Sequence, residues 1–270
     1  MSTDTKDMSF VSHLEELRWT LFRSIVAIGV FGILAFLNKH FVFETIIFGP
    51  AKSNFLSYQF LCNFGEKIGF SFICISDINF EIVNLSLAGQ FMTHLMTSVA
   101  LGFILAFPYL IWEIWKFIKP GLTNKEVNAS RTVIGFSGLL FFTGVLFGYF
   151  VLVPFGVNFL TTYSISQEVL NTIDLTNYIN VLTMFVLASG IMFQLPILVY
   201  LLTKIGMVND AMMKEHRKHA VVVIFMVAAI ITPADIGTMV VVAIPLWFLY
   251  EMSIYVSAVT YKNLQKNTSI

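Results

Sequence analysis

Five stretches of the chain, residues 19–37, 87–107, 132–153, 178–203 and 236–259, run almost without charge. Between them they hold one arginine, Arg23, and one glutamate, Glu251. Each is long enough to cross a hydrocarbon core of about 30 Å, which takes roughly 20 helical residues. The composition agrees, with 57% hydrophobic and 12% charged residues, against about 25% charge in soluble domains. A shorter apolar run, residues 219–231, precedes the last stretch and is separated from it only by Thr232-Pro233-Ala234-Asp235. The chain is therefore predicted to be an all-α polytopic membrane protein. It reads as a concave bundle of six transmembrane helices with short helices 5 and 6, a single membrane domain over residues 1–270. Residues 38–86 form a long outer loop, too irregular to span, and residues 154–176 form a second outer loop without Lys or Arg. The N-terminal tail carries Asp4, Asp7, Glu15 and Glu16 against Lys6 and Arg18. It does not read as a signal peptide, so the first span is expected to be retained.

Orientation follows from the basic residues, which concentrate on the cytoplasmic side of membrane proteins. With both termini inside, 13 Lys and Arg fall in inner segments and three, Lys39, Lys52 and Lys67, in outer ones. The net charge of zero leaves no electrostatic footprint for nucleic acid. The two cysteines, Cys62 and Cys74, both fall in the first outer loop. A disulfide is permitted there and would contribute roughly 3 kcal/mol in the entropy model; bonded and free states both fit the sequence.

Few polar groups interrupt the spans. Gln194 lies within the fourth, where an amide needs a partner, a groove or water, and Pro196 beside it should bend the helix. Ser12-His13-Leu14-Glu15 has capping-box spacing, as does Thr123-Asn124-Lys125-Glu126. Glu15 then has a structural explanation, reinforced by Arg18 three residues on, while Glu16 shares a face with His13 and Thr20 and is left for another role. Asp235 is placed to cap the last helix. Glu113 and Glu251 sit near inner helix ends, where they can snorkel or pair with a base. His94 reads as packing, and His216 and His219 as surface. The sequence has no metal-ligand spacing and no phosphate-cradling glycine loop, so no cofactor and no enzymatic activity are expected. A secondary transporter or channel for a small solute is the alternative function class. Against it, the spans show no internal repeat and few ionisable groups at mid-membrane.

Several short motifs together resemble one family. They are His13-Leu14-Glu15-Glu16-Leu17-Arg18, Phe107-Pro108, and Trp115-Lys116-Phe117-Ile118-Lys119-Pro120-Gly121-Leu122-Thr123-Asn124-Lys125-Glu126. Phe193-Gln194-Leu195-Pro196, Thr232-Pro233-Ala234-Asp235 and Ala243-Ile244-Pro245 complete the set. In order and placement they resemble TatC, the multispanning subunit of the twin-arginine protein translocase. The resemblance implies a receptor in the bacterial cytoplasmic membrane for signal peptides with two consecutive arginines. It implies export of folded proteins, driven by the proton-motive force, with small single-span TatA/TatB-like partners and self-association. It places signal-peptide binding at Glu16 and Glu126, with Phe117, Pro120 and Leu122 shaping the loop. Carboxylates suit that task, because guanidinium groups bind them through bidentate, charge-assisted hydrogen bonds. Gln194 and Glu251 are implied as intramembrane polar positions that meet partners, and Phe43, Phe48 and Pro50 as an outer cap. Residues 58–75 look like an insertion relative to the family.

Overall fold

The computed structural model describes residues 10–68, 81–118, 124–166, 172–232 and 236–268. Among these residues, ten α-helices carry almost all of the order: α1 Phe10–Leu37, α2 Leu56–Ile68, α3 Gly89–Ile118, α4 Asn124–Phe147, α5 Val153–Thr162, α6 Leu175–Met192, α7 Leu195–Lys204, α8 Asp210–Glu215, α9 Arg217–Ile231 and α10 Ile236–Thr268. Two π-helical turns, Phe41–Ile47 and Gly148–Leu152, and two parallel two-residue strands, β1 Ile82–Val83 and β2 Ile173–Asp174, complete it.

Five helical stretches are long and apolar enough to cross a membrane: His13–Leu37, Gly89–Phe117, Val133–Thr162, Leu175–Lys204 and Ile236–Lys262. The protein is thus a multi-pass membrane protein. The expected fifth span corresponds to α9, whose 15 residues cover roughly 22 Å at 1.5 Å per residue, well short of the core. Helix 6 is not short: α10 runs for 33 residues and carries Pro245 inside it.

Two other expectations are corrected, and a third is refined. Residues 154–162 are not loop, because α5 continues the third span. Pro154 lacks a donor N–H, and the preceding π turn absorbs the register change. Val153 N–H donates to the Gly148 carbonyl five residues back, the wide spacing typical of such turns. Ser12 does not cap α1, which is already helical at Phe10. The apolar spacing Phe10, Leu14, Leu17, Leu21 carries the helix upstream. The fourth span is a pair of helices, α6 and α7, broken at Phe193–Gln194, with Pro196 in the first turn of α7; this is the bend expected from that proline. The position of Asp235, expected to cap α10, lies outside the described residues.

The chain divides into two compact units. The first holds residues 1–38 and 95–138. Within it α1 and α3 run antiparallel. A methyl built on Gly102 would lie 2.6 Å from the Ile28 carbonyl oxygen and 2.8 Å from the Gly32 nitrogen, so the two backbones approach as only glycine allows. Membrane helices associate through such small-residue contacts because hydrocarbon offers no hydrophobic drive. At the other end of the pair the His13 ring stacks on Phe117, with centroids 4.3 Å apart.

The second unit holds residues 39–94 and 139–270. Its portion preceding α3 is anchored by tyrosines. A π turn leaves its last carbonyls without helical partners. Tyr149 donates its hydroxyl to the Ile46 carbonyl at 2.6 Å and Tyr178 donates to that of Ile47 at 2.8 Å. Tyr58, near the start of α2, donates to the Pro50 carbonyl. Phe55 lies parallel to Phe150 and edge-on to Tyr149. At β2, Asp174 caps α6 by accepting the Thr176 N–H and reaches across to the Leu85 N–H. These backbone donors, Leu85 first, hold its carboxyl below the usual range. Deeper in the unit, Ser189 donates to the Gly144 carbonyl at 2.8 Å. Buried Thr203 donates to Ser257 at 2.9 Å, joining α7 to α10.

Gly148 sits where α6 crosses the third span. An added methyl would strike Ser189 and stand 2.9 Å from the Phe185 carbonyl. Gly148→Val is expected to destabilise the protein by about 1–3 kcal/mol, as overpacking does. Gly135→Ala, where an added methyl meets nothing within 4 Å, should leave stability unchanged. Thermal unfolding of the detergent-solubilised protein measures both. In the same assay Tyr178→Phe should cost about 1 kcal/mol, because the Ile47 carbonyl loses its donor.

Candidate functional site

The N-terminal turns of α1 present two adjacent glutamates on different faces. Glu15 is exposed and pairs with Arg18 at 3.7 Å across one turn, a surface ion pair of small energetic weight. Glu16 is half-buried, and its Oε2 is shielded from solvent without a hydrogen-bond partner among the described residues. A desolvated carboxylate oxygen with no donor is costly. It is stabilised by whatever donor or cation is brought to it. The two glutamates thus differ in their surroundings, and Glu15 pairs with Arg18 without a Ser12 cap beside it.

Phe117, near the end of α3, covers His13 one turn before Glu16. It forms an aromatic floor beside this turn. Glu126 lies in the first turn of α4, in keeping with the expected helix start, but its side chain lies outside the described residues, as do Pro120, Leu122 and Thr123. Glu113 holds a place that its flanking tryptophans do not suggest. It is only 1% exposed, accepts the Tyr109 hydroxyl at 3.0 Å, and stands 3.7 Å from Arg23 of α1. Arg23 was the available signal: a cation inside an apolar run requires a partner, and Tyr109 and Glu113 are one helical turn apart.

The remaining candidates belong to the second unit. Gln194 occupies the α6–α7 break half-buried, and its backbone carbonyl accepts the N–H groups of Ile197 and Leu198. Glu251 on α10 pairs with Arg217 at the start of α9 at 2.7 Å, and neighbouring Tyr250 donates to the Met213 carbonyl. Together they fasten α10 to the α8–α9 corner, which gives Glu251 a structural duty. Phe43 and Phe48 pack 6.1 Å apart, and Phe48 stacks on Tyr178. Pro50 is fully buried under Tyr58. His94 lies edge-on to Phe43, as packing. A cavity of about 530 Å³ opens beside these rings, lined among others by Lys39, His40, Glu44 and His94. Cys62 in α2 is disulfide-bonded; Cys74, the chain's other cysteine, lies outside the described residues. No group of three metal-ligating side chains occurs among the described residues.

Comparison with known proteins identifies the family. The family model for the Sec-independent protein translocase protein TatC matches residues 12–245. A TatC of Blattabacterium sp. subsp. Periplaneta americana (strain BPLAN) is 42% identical over 260 residues, covering 95% of this chain and 97% of the relative. That of Aquifex aeolicus (strain VF5) is 32% identical, covering 92% and 94%. Two crystal structures described as twin arginine translocase receptor TatC superpose with TM-scores of 0.67 and 0.71, at 31% and 32% identity. They cover 92% and 91% of this chain and 99% of each structure. A chain matched from its first acidic turn to its last span, in sequence and in fold alike, belongs to the TatC family of Sec-independent protein translocase components.

Proposed function

We propose that this chain is the receptor and core subunit of a twin-arginine translocase. It binds signal peptides with paired arginines at its cytoplasmic surface and exports folded proteins across a bacterial cytoplasmic membrane, driven by the proton-motive force. The observation that carries this reading is Glu16, whose carboxylate oxygen is shielded from water and has no donor among the described residues beside the His13–Phe117 stack. A guanidinium supplies the missing donors in a fork that an ammonium cannot reproduce. Six spans with both termini inside fit the distribution of basic residues, with α9 as the short fifth. A span of that length thins the bilayer or leans on neighbouring helices. Glu126, at the start of α4, joins Glu16 as a ligand on the same face of the membrane, with Phe117, Pro120 and Leu122 around them. Gln194 and Glu251 are the polar positions assigned to the apolar part of the peptide and to small single-span TatA/TatB-like partners. Phe43, Phe48 and Pro50 form a cap on the outer side. The solved structures described as receptors favour the same role.

The full-length protein in lipid nanodiscs should capture a synthetic signal peptide carrying Arg-Arg at least about tenfold better than its Lys-Lys counterpart, the scale of one charge-assisted hydrogen bond. Glu16→Ala should abolish that preference and Glu15→Ala should keep it. Equal capture of the two peptides by the unaltered protein would refute the receptor reading.

A further inference from the structure

The Arg23–Glu113 pair is loosely made for an ion pair so thoroughly buried on one side. The α1–α3 register is set by His13 against Phe117 and by Gly32 against Ser98 and Gly102. On that register Arg23 is level with Phe107. Its side chain therefore reaches back about six residues of helix rise, roughly 9 Å, to approach Glu113. It arrives at 3.7 Å, too long for a hydrogen bond, and Glu113 Oε2 has no hydrogen-bond partner among the described residues. The other oxygen is occupied by Tyr109. The same register sets Glu113 level with Leu17, hence with Glu16, whose Oε2 is likewise shielded and undonated. Two carboxylates from facing helices thus stand at one level, each with one dry oxygen that has no donor among the described residues, and the Arg23 guanidinium stands at the edge. On α1 the residues Glu16, Thr20 and Arg23 follow the i, i+4, i+7 spacing of one helix face.

We propose that Glu16 and Glu113 together receive an arginine of the signal peptide, and that Arg23 is its resident stand-in, displaced when the peptide binds. The inference rests on the receptor reading above and adds a second carboxylate and a competitor to it. A guanidinium has five donors in a planar fork, enough to meet both dry oxygens. Arg23 is 46% exposed and can withdraw into water when replaced. Glu113 cannot, so a cation must stay beside it. Exchange of one guanidinium for another keeps that requirement met throughout.

Two neutral substitutions decide the matter by the sign of their effects. Glu113→Gln keeps an acceptor for Tyr109 and should weaken capture of the Arg-Arg peptide about tenfold, with the Lys-Lys peptide little altered. Arg23→Gln removes the competitor and should tighten capture severalfold. A purely structural pair predicts that both variants weaken capture alike, and that result overturns the proposal, as does unchanged capture by Glu113→Gln. Should Glu113→Gln fail to insert stably, Arg23→Gln alone decides: tighter capture supports the exchange, and equal or weaker capture rejects it. The receptor reading is tested separately by the unaltered protein. If it prefers Arg-Arg while the Glu113 and Arg23 variants behave as a structural pair, only the exchange is wrong.

Discussion

Inside hydrocarbon a backbone N–H or C=O has no water to turn to, and each must be bonded within the protein. The irregularities among the described residues show how that demand is met. The third span meets Pro154 just after a π turn rather than ending there. The fourth span breaks at Phe193–Gln194, where the last ladder bond of α6, from Phe193 N–H to the Ser189 carbonyl, is followed by a tighter turn bond from Gln194 N–H to the Ile191 carbonyl. The carbonyls left over at the outer π turn are taken up by tyrosine hydroxyls from the third and fourth spans. Hydroxyls of Ser24, Thr143, Ser253 and Thr260 bond carbonyls four residues back, so polar side chains in the spans cost little.

Much of this was legible from residue order. Length and apolarity marked the five long spans, because a hydrocarbon slab selects for a single property over some 20 consecutive positions. Pro196 marked the break in the fourth. Helix ends were less legible. Phe10 and Val11 extend α1 beyond its capping signal, and α5 continues through a proline that normally stops helices, because a π turn is invisible to a 3.6-residue period. The length of α10 was underestimated since its polar end, from Tyr261 to Thr268, is helical without being apolar.

The acidic turn was legible in part. Adjacent glutamates project to different faces at 100° per residue, so their different surroundings follow from numbering alone. Glu113 was not, since its environment is set by an arginine 90 positions earlier in the chain. A pairing at that sequence distance depends on helix register, and the register depends on Gly32 and Gly102, whose role is to be small. Glu251 was recognised as a polar position, but its bond to Arg217 comes from the way α8 and α9 fold back on α10.

The outer fastening has a consequence for acid. Its three principal latches, from Tyr58, Tyr149 and Tyr178, are neutral hydroxyls donating to carbonyls. A phenol loses its proton only near pH 10, and burial pushes Tyr58 higher still. Neither partner changes charge as a compartment acidifies. Asp174 is the exception, since it accepts backbone N–H groups as a carboxylate. Its lowered affinity for protons stabilises the fold above the usual carboxylate range, and that contribution fades as pH falls through its own, lower value. In the proposed orientation this face meets the acidic side of a proton gradient. There the tyrosine-bound loop stays fastened, and Asp174, ionised to lower pH than an ordinary carboxylate, still holds the start of α6.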